Sequence, residues 1–180
     1  SLACARELAL FGYDVTIYEA NEKAGGVLTY GIVPSRLPQE VVDFDIATIE
    51  KLGVTFKFNE TIDAARLEEL KAEYDAVFVG TGLWKSKVID IPGKDLDGVV
   101  SAIDFLKDAR LNKENMTLGD TVLVIGGGDV AMDCVTTAKQ LGAKATIVYR
   151  RTIEEAPADI DEVMAVQSMG IPIIQEFAPG

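Results

Sequence analysis

A glycine-rich turn between a strand-like run and a helix-like run is the feature that most constrains this chain. Residues 122–125, VLVI, form a continuous apolar run rich in β-branched residues, as expected of a buried parallel strand. Gly126, Gly128 and Ala131 follow in the spacing G-x-G-x-x-A, and the next helix is predicted to end at Gly142. A second strand-like run comes next, at 145–149. This order predicts a dinucleotide-binding β–α–β unit rather than an ordinary tight turn.

There is a physical reason for a small residue at each of these three positions in the turn. Gly126 permits the tight turn, Gly128 lets the backbone approach a pyrophosphate, and Ala131 lets the helix pack close to the strand. The amino terminus of the following helix offers free N–H groups and a positive dipole end to phosphate.

The end of the second strand indicates which dinucleotide is bound. Tyr149, Arg150 and Arg151 stand where an acid would accept hydrogen bonds from the ribose of NAD. Guanidinium groups suit a 2′-phosphate, and an aromatic or guanidinium plane could stack on adenine. The two arginines therefore favour NADPH over NADH. The alternative is that one of them lies at a solvated strand end and binds no nucleotide.

The first twenty residues repeat residues 131–150 at an offset of 130. The identical pairs are Cys4 and Cys134, Gly12 and Gly142, Thr16 and Thr146, and Ile17 and Ile147. Ser1 then aligns with Ala131, so the repeat predicts that a first strand and two glycines precede Ser1. The first copy closes on Glu19, which suits a ribose hydroxyl. Two copies with different strand ends predict FAD in the first unit and NADPH in the second.

The region between the two copies continues the α/β pattern. The sequence predicts a helix from about Pro38 to Gly53 and strands at 54–58 and 74–79. Short helices are predicted at 65–71 and 101–111, and a helix at 160–169 with a strand at 171–175 is predicted after the second unit. The strand at 74–79 would be buried and would end on Gly80-Thr81-Gly82, against which a cofactor could lie. Residues 83–98 are predicted to be a connector. Residues 21–35 are predicted to be a loop rich in glycine and proline. Within it, Gly25-Gly26 could let backbone approach the flavin or could be a plain glycine turn.

Composition excludes several classes of function. The 180 residues carry a net charge of −12, which disfavours nucleic-acid binding. The absence of histidine excludes Ser-His-Asp and Cys-His catalysis, and we predict no metal site, with the acidic residues at 154–162 forming a solvated face. No apolar run reaches the roughly 20 residues of a membrane span. With no signal peptide, the protein is expected to be cytoplasmic, with both cysteines as buried thiols.

Several separate motifs together resemble one family. The stretch SLACARELALFGYDVTIYEANEKAGGVLTYGIVPSRLP is followed by AVFVGTG, IPG, VIGGGDVAMDC and VYRR. These resemble the small subunit of NADPH-dependent glutamate synthase over nearly the whole chain. They are similar also to the flavin-bearing part of dihydropyrimidine dehydrogenase and to the large subunit of the NADH-dependent ferredoxin:NADP oxidoreductase.

The resemblance implies an α/β fold of two Rossmann-like units, with an NADPH domain inserted in an FAD domain. Residues 1–98 would be a partial FAD domain and residues 99–180 an NADPH domain incomplete at its carboxyl end. NADPH would reduce FAD, and electrons would leave through iron–sulfur clusters outside this fragment to the glutamate synthase large subunit or another electron-accepting subunit. Such hydride transfer needs no acid–base side chain, so no catalytic residue is expected.

The resemblance also implies cofactor-binding residues. On the FAD side they would be Glu19, Gly25, Gly26, Arg36, Leu37, Thr81 and Gly82, and on the NADPH side Gly126, Gly128, Asp129, Val130, Arg150 and Arg151. Two other functions are alternatives to the flavin oxidoreductase. A disulfide reductase of similar fold is disfavoured because the chain has no CxxC motif. A dinucleotide-binding domain without turnover is the remaining alternative.

Overall fold

The computed structural model describes residues 1–86 and 89–178, and they form two compact α/β units. The first unit comprises Ser1–Tyr30 and Pro34–Leu83, and the second comprises Gly31–Val33 and Trp84–Gly180. Among the described residues, each unit carries one parallel sheet. An α/β architecture with parallel strands is therefore confirmed.

The first unit pairs two short strands. Its elements are α1 Leu2–Leu10, β1 Thr16–Glu19, α2 Val27–Tyr30, α3 Gln39–Lys51, β2 Thr55–Phe58 and α4 Ala64–Glu73. Strand β1 runs parallel to β2, with Glu19 opposite Phe58. The buried residues of its core are Ala5, Ile49 and Val54. Both α1 and α3 end just before a glycine with positive φ, Gly12 at 86° and Gly53 at 94°, and the end of α3 is the one that the sequence predicts.

The second unit has a three-stranded sheet in the order β3-β4-β5. Its elements are α5 Ala102–Leu111, β3 Thr121–Ile125, α6 Asp129–Gln140, β4 Lys144–Val148, α7 Ile160–Ser168 and β5 Ile173–Ile174, with 3-10 turns at Lys113–Asn115 and Ile153–Glu155. The register places Ile125 opposite Val148, so β3 and β4 end at the same edge. Met132, Val135 and Ile147 are fully buried in its core. The predicted strand–turn–helix–strand order is confirmed.

The strand predicted at 74–79 is wrong. The structure places these residues outside any strand, and Val77, Phe78 and Val79 are 36%, 64% and 65% exposed. A β-prone run becomes a buried strand only where another strand supplies hydrogen bonds, and no described strand pairs with this one. The carbonyl of Gly80 instead accepts the hydroxyl of Ser1 at 2.9 Å.

Smaller differences have local causes. Residues 21–35 were expected to be a loop, but Val27–Tyr30 form a helical turn because Tyr30 is buried and its hydroxyl accepts the Lys23 N–H at 2.9 Å. Strand β5 is shorter than the predicted 171–175. Cys134 is buried as expected, whereas Cys4 is half-buried; both are free thiols.

Candidate functional site

The glycine turn of the second unit joins β3 to α6 at the carboxyl edge of the sheet. Gly126 has a φ of 147°, and its N–H donates to the Val148 carbonyl at 3.0 Å. A Cβ at Gly126 would lie 3.3 Å from the Cβ of Ala131. The small residues at these two positions therefore allow the helix to pack closely on the turn, as the sequence predicts.

The middle glycine has a role that the sequence reasoning missed. A Cβ at Gly127 would lie 2.6 Å from the ring of Tyr149, which is buried and whose hydroxyl donates to the Glu155 carbonyl at 3.3 Å. The expectation that an aromatic ring here could stack on adenine is therefore wrong for Tyr149, because its ring packs on the turn. The signal available in the sequence was the unbroken GGG.

Gly128 is the point at which the turn is open. A Cβ there would have nothing closer than Pro157 Cγ at 3.9 Å. Gly128 also caps α6, and its carbonyl accepts the Ala131 N–H at 2.8 Å. The N–H groups of Asp129 and Val130 at the start of the helix have no helical partner and suit an anion. A cleft of about 320 Å³ opens here, lined by Ala102, Val124, Ile125, Gly126, Gly128, Asp129, Val130 and Ala131. Four predicted site residues thus share one cleft.

The Asp129 carboxylate is turned toward a neighbouring segment. Its Oδ1 accepts the backbone N–H of Asp159 at 2.8 Å, and the Gly127 carbonyl accepts the Ala158 N–H at 3.2 Å. These bonds hold Ala158 and Asp159 against the turn. What Asp129 offers a phosphate in this arrangement is its backbone N–H, since a carboxylate would repel it.

Arg150 and Arg151 follow β4 after Tyr149, beside the turn that follows β3. Both side chains are exposed, and neither guanidinium forms an ion pair with a residue that the structure describes. Two positive charges at this edge complement a doubly charged phosphate. The second unit thus holds an open helix terminus and two cations at the same edge of its sheet.

Glu19 ends β1 in the first unit, as predicted. It is half-buried, and its Oε1 accepts both the backbone N–H of Asn21 at 2.9 Å and the Asn21 side-chain amide at 2.7 Å. These two bonds use one carboxylate oxygen and orient the other. The described bonds leave Oε2 without a hydrogen bond.

The other residues predicted on the FAD side have mixed surroundings. Gly25 has a φ of 111°, and a Cβ there would lie 2.1 Å from Thr29 Oγ1, so local packing already requires glycine. Gly26 has a φ of 56° and nothing within 4 Å of the Cβ position. Arg36 is exposed and Leu37 half-buried, while Thr81 and Gly82 lie exposed beyond the segment that was expected to be a strand.

Parallel α/β units with an open glycine turn and a helix terminus define a dinucleotide-binding class of protein. The family model for pyridine nucleotide-disulphide oxidoreductases matches residues 1–174. The chain belongs to this family.

The relatives are subunits of larger oxidoreductases. The PreT subunit of NAD-dependent dihydropyrimidine dehydrogenase from Escherichia coli K12 is 45% identical over 170 residues, covering 93% of this chain and 41% of that protein. The small chain of NADPH glutamate synthase from Azospirillum brasilense is 36% identical, covering 99% of this chain and 40% of that protein. This chain therefore spans less than half the length of either relative. The resemblance seen in the sequence is confirmed.

A solved structure supports the fold. A 2-naphthoyl-CoA reductase complex superposes with a TM-score of 0.79 at 24% identity, covering 98% of this chain and 26% of that one. Over the described residues, no helix combines the length and apolarity that crossing a bilayer requires.

Proposed function

We propose that this chain is part of an NADPH-dependent flavin oxidoreductase, with NADPH bound by its second unit. The observation that carries the proposal is the shared edge of β3 and β4. There the α6 terminus and open Gly128 suit a pyrophosphate, while Arg150 and Arg151 suit a 2′-phosphate. The cleft residues Gly126, Gly128, Asp129 and Val130 would hold the phosphates through their backbone.

The preference for NADPH rests on the two arginines, because the relatives do not decide it. One relative is named NAD-dependent and another NADPH-dependent. A guanidinium beside a 2′-phosphate forms charge-assisted hydrogen bonds that NADH cannot supply. The preference for NADPH over NADH is therefore tested by measuring the binding of both nucleotides to this chain.

The first unit is proposed to bind FAD. Glu19 would accept a hydroxyl of the adenosine ribose through the carboxylate oxygen that Asn21 leaves available. Gly25, Gly26, Arg36, Leu37, Thr81 and Gly82 remain proposed contacts along the flavin. In this assignment residues 1–98 belong to an FAD domain, residues 99–180 to an NADPH domain inserted in it, and both are Rossmann-like.

Bound NADPH would supply a hydride and FAD would accept it; the protein's part is to bind and orient the two cofactors. We propose that electrons pass on to an iron–sulfur subunit such as the glutamate synthase large subunit, in the cytoplasm. Relatives named as subunits of glutamate synthase and of NADP-dependent formate dehydrogenase support a multisubunit setting.

Replacing one arginine tests the nucleotide preference. Arg150→Ala should weaken NADPH binding by about 1.5–3 kcal/mol, the contribution of a charge-assisted hydrogen bond, and leave NADH binding nearly unchanged. Titration of protein fluorescence with each nucleotide gives both dissociation constants. Lys144→Ala, which removes a cation at the opposite end of β4, is the matched control. Equal losses for NADPH and NADH would refute the 2′-phosphate role.

Turnover is tested on the flavin-loaded protein. Under anaerobic conditions, flavin absorbance near ~450 nm should bleach when NADPH is added. Glu19→Ala should lower the flavin content of the purified protein. Flavin that stays oxidised would favour a dinucleotide-binding domain without turnover.

A further inference from the structure

The loop that carries the arginine pair is held by the segment after β5. The Tyr149 N–H donates to the Ile174 carbonyl at 2.8 Å, and the Tyr149 carbonyl accepts the Phe177 N–H at 3.1 Å. The Arg151 carbonyl accepts the Glu176 N–H at 3.2 Å. Backbone hydrogen bonds therefore continue beyond the two residue pairs of the β4–β5 ladder.

The last bond of this series comes from a side chain. Ile153 donates its N–H to Gln175 Oε1 at 2.7 Å. Glu176 adopts a φ of 55°, a left-handed conformation that is uncommon outside glycine, so the chain bends away from the ladder there. The Gln175 side chain thus supplies the acceptor for the Ile153 N–H.

The bonds to Arg151 and Ile153 bracket the residue between them. Thr152 is further fixed because its N–H and hydroxyl both bond Glu155 Oε2, at 3.2 and 3.1 Å. The backbone around Arg150 and Arg151 is consequently anchored on both sides, although their side chains are exposed. Long side chains on an anchored backbone lose less entropy when they close on a phosphate than the same side chains on a mobile loop.

We propose that Gln175 is a positioning residue for NADPH selectivity, acting through the backbone that carries Arg150 and Arg151. This inference rests on the proposed nucleotide site of the second unit. Gln175 makes no contact with the glycine turn in the described bonds, so its loss should affect the 2′-phosphate and spare the pyrophosphate. Selectivity, rather than affinity in general, is therefore the property that it controls.

The test compares two substitutions of similar size. Gln175→Met removes the acceptor and should lower the ratio of NADPH to NADH affinity about five-fold, the effect of losing one hydrogen bond. Gln167→Met makes the same change of side chain at an exposed position of α7 and should leave the ratio unchanged. Both variants and the parent protein are titrated with NADPH, NADH, 2′,5′-ADP and 5′-AMP, and circular dichroism checks that they fold.

The outcomes separate the inference from the function on which it rests. A fall in selectivity for Gln175→Met that is also seen with 2′,5′-ADP against 5′-AMP, and that Gln167→Met does not show, supports the positioning role. An unchanged ratio, or equal weakening of all four ligands, overturns it. A parent protein that binds neither nucleotide, or both equally, overturns the proposed NADPH site itself.

Discussion

The two units use the same helix–strand pair in different surroundings. At the offset of 130, α1 and β1 correspond to α6 and β4, and the turns Gly12 and Gly142 have nearly equal φ values of 86° and 96°. Yet β1 is half-buried along its length, whereas Ile147 of β4 is fully buried. Strand β4 pairs on both edges, while in the described structure β1 pairs only with β2. The conformation of the helix–strand pair therefore depends on the repeated sequence. The burial of its strand depends on the strands that pair with it.

The largest expected difference between the units concerns their aligned cysteines. Burial, with a smaller contribution from Asp133, raises the pKa of Cys134 to about 12, so the reactive thiolate form is scarce at pH 8. Cys4 is half-buried. Iodoacetamide should therefore label Cys4 at least a hundred times faster than Cys134, as mass spectrometry of digested samples would show. Labelling of both at similar rates would mean that the second core opens readily.

The aligned isoleucines should differ in their contribution to stability. Ile147→Ala should lower the free energy of unfolding by about 3 kcal/mol because it leaves a cavity in a closed core. Ile17→Ala, in the half-buried strand, should cost about 1 kcal/mol. Urea denaturation followed by circular dichroism measures both. Equal losses would show that the core around β1 is as closed as the core around β4.

Replacing either of the aligned glycines should change stability by the same amount, in contrast to the aligned isoleucines. Neither Gly12 nor Gly142 has an atom within 4 Å of its Cβ position, so alanine meets strain from positive φ alone. Each alanine variant should lose about 1 kcal/mol of stability. The same denaturation experiment applies, and a difference well above its error would refute a purely local cause.

The sequence predicts features that depend on neighbours along the chain. The order from β3 to β4, the close packing of Gly126 on Ala131, and the position of Glu19 follow from spacing and residue size, and the structure agrees. Features that depend on distant partners were missed. The run at 74–79 has the composition of a strand, but a strand requires a paired neighbour.

The candidate site shows the same division. Nothing local to Asp129 indicates that its carboxylate bonds a residue thirty positions away, and nothing local to Arg151 indicates the anchor at Glu176. Tyr149 was expected near adenine because of its position at a strand end. Its burial depends on the missing side chain at Gly127, which the sequence displays but does not connect to a ring.

The contact between Gly127 and Tyr149 also restricts the order in which the two positions can change. Tyr149→Phe would not make room for a methyl group at 127, because the nearest atoms belong to the ring and not to the hydroxyl. A variant with alanine at 127 becomes accessible after the ring has been replaced by a smaller side chain, and the reverse order passes through a clash. The residues at 127 and 149 therefore have to be changed together, and a redesign of this turn has to begin at 149.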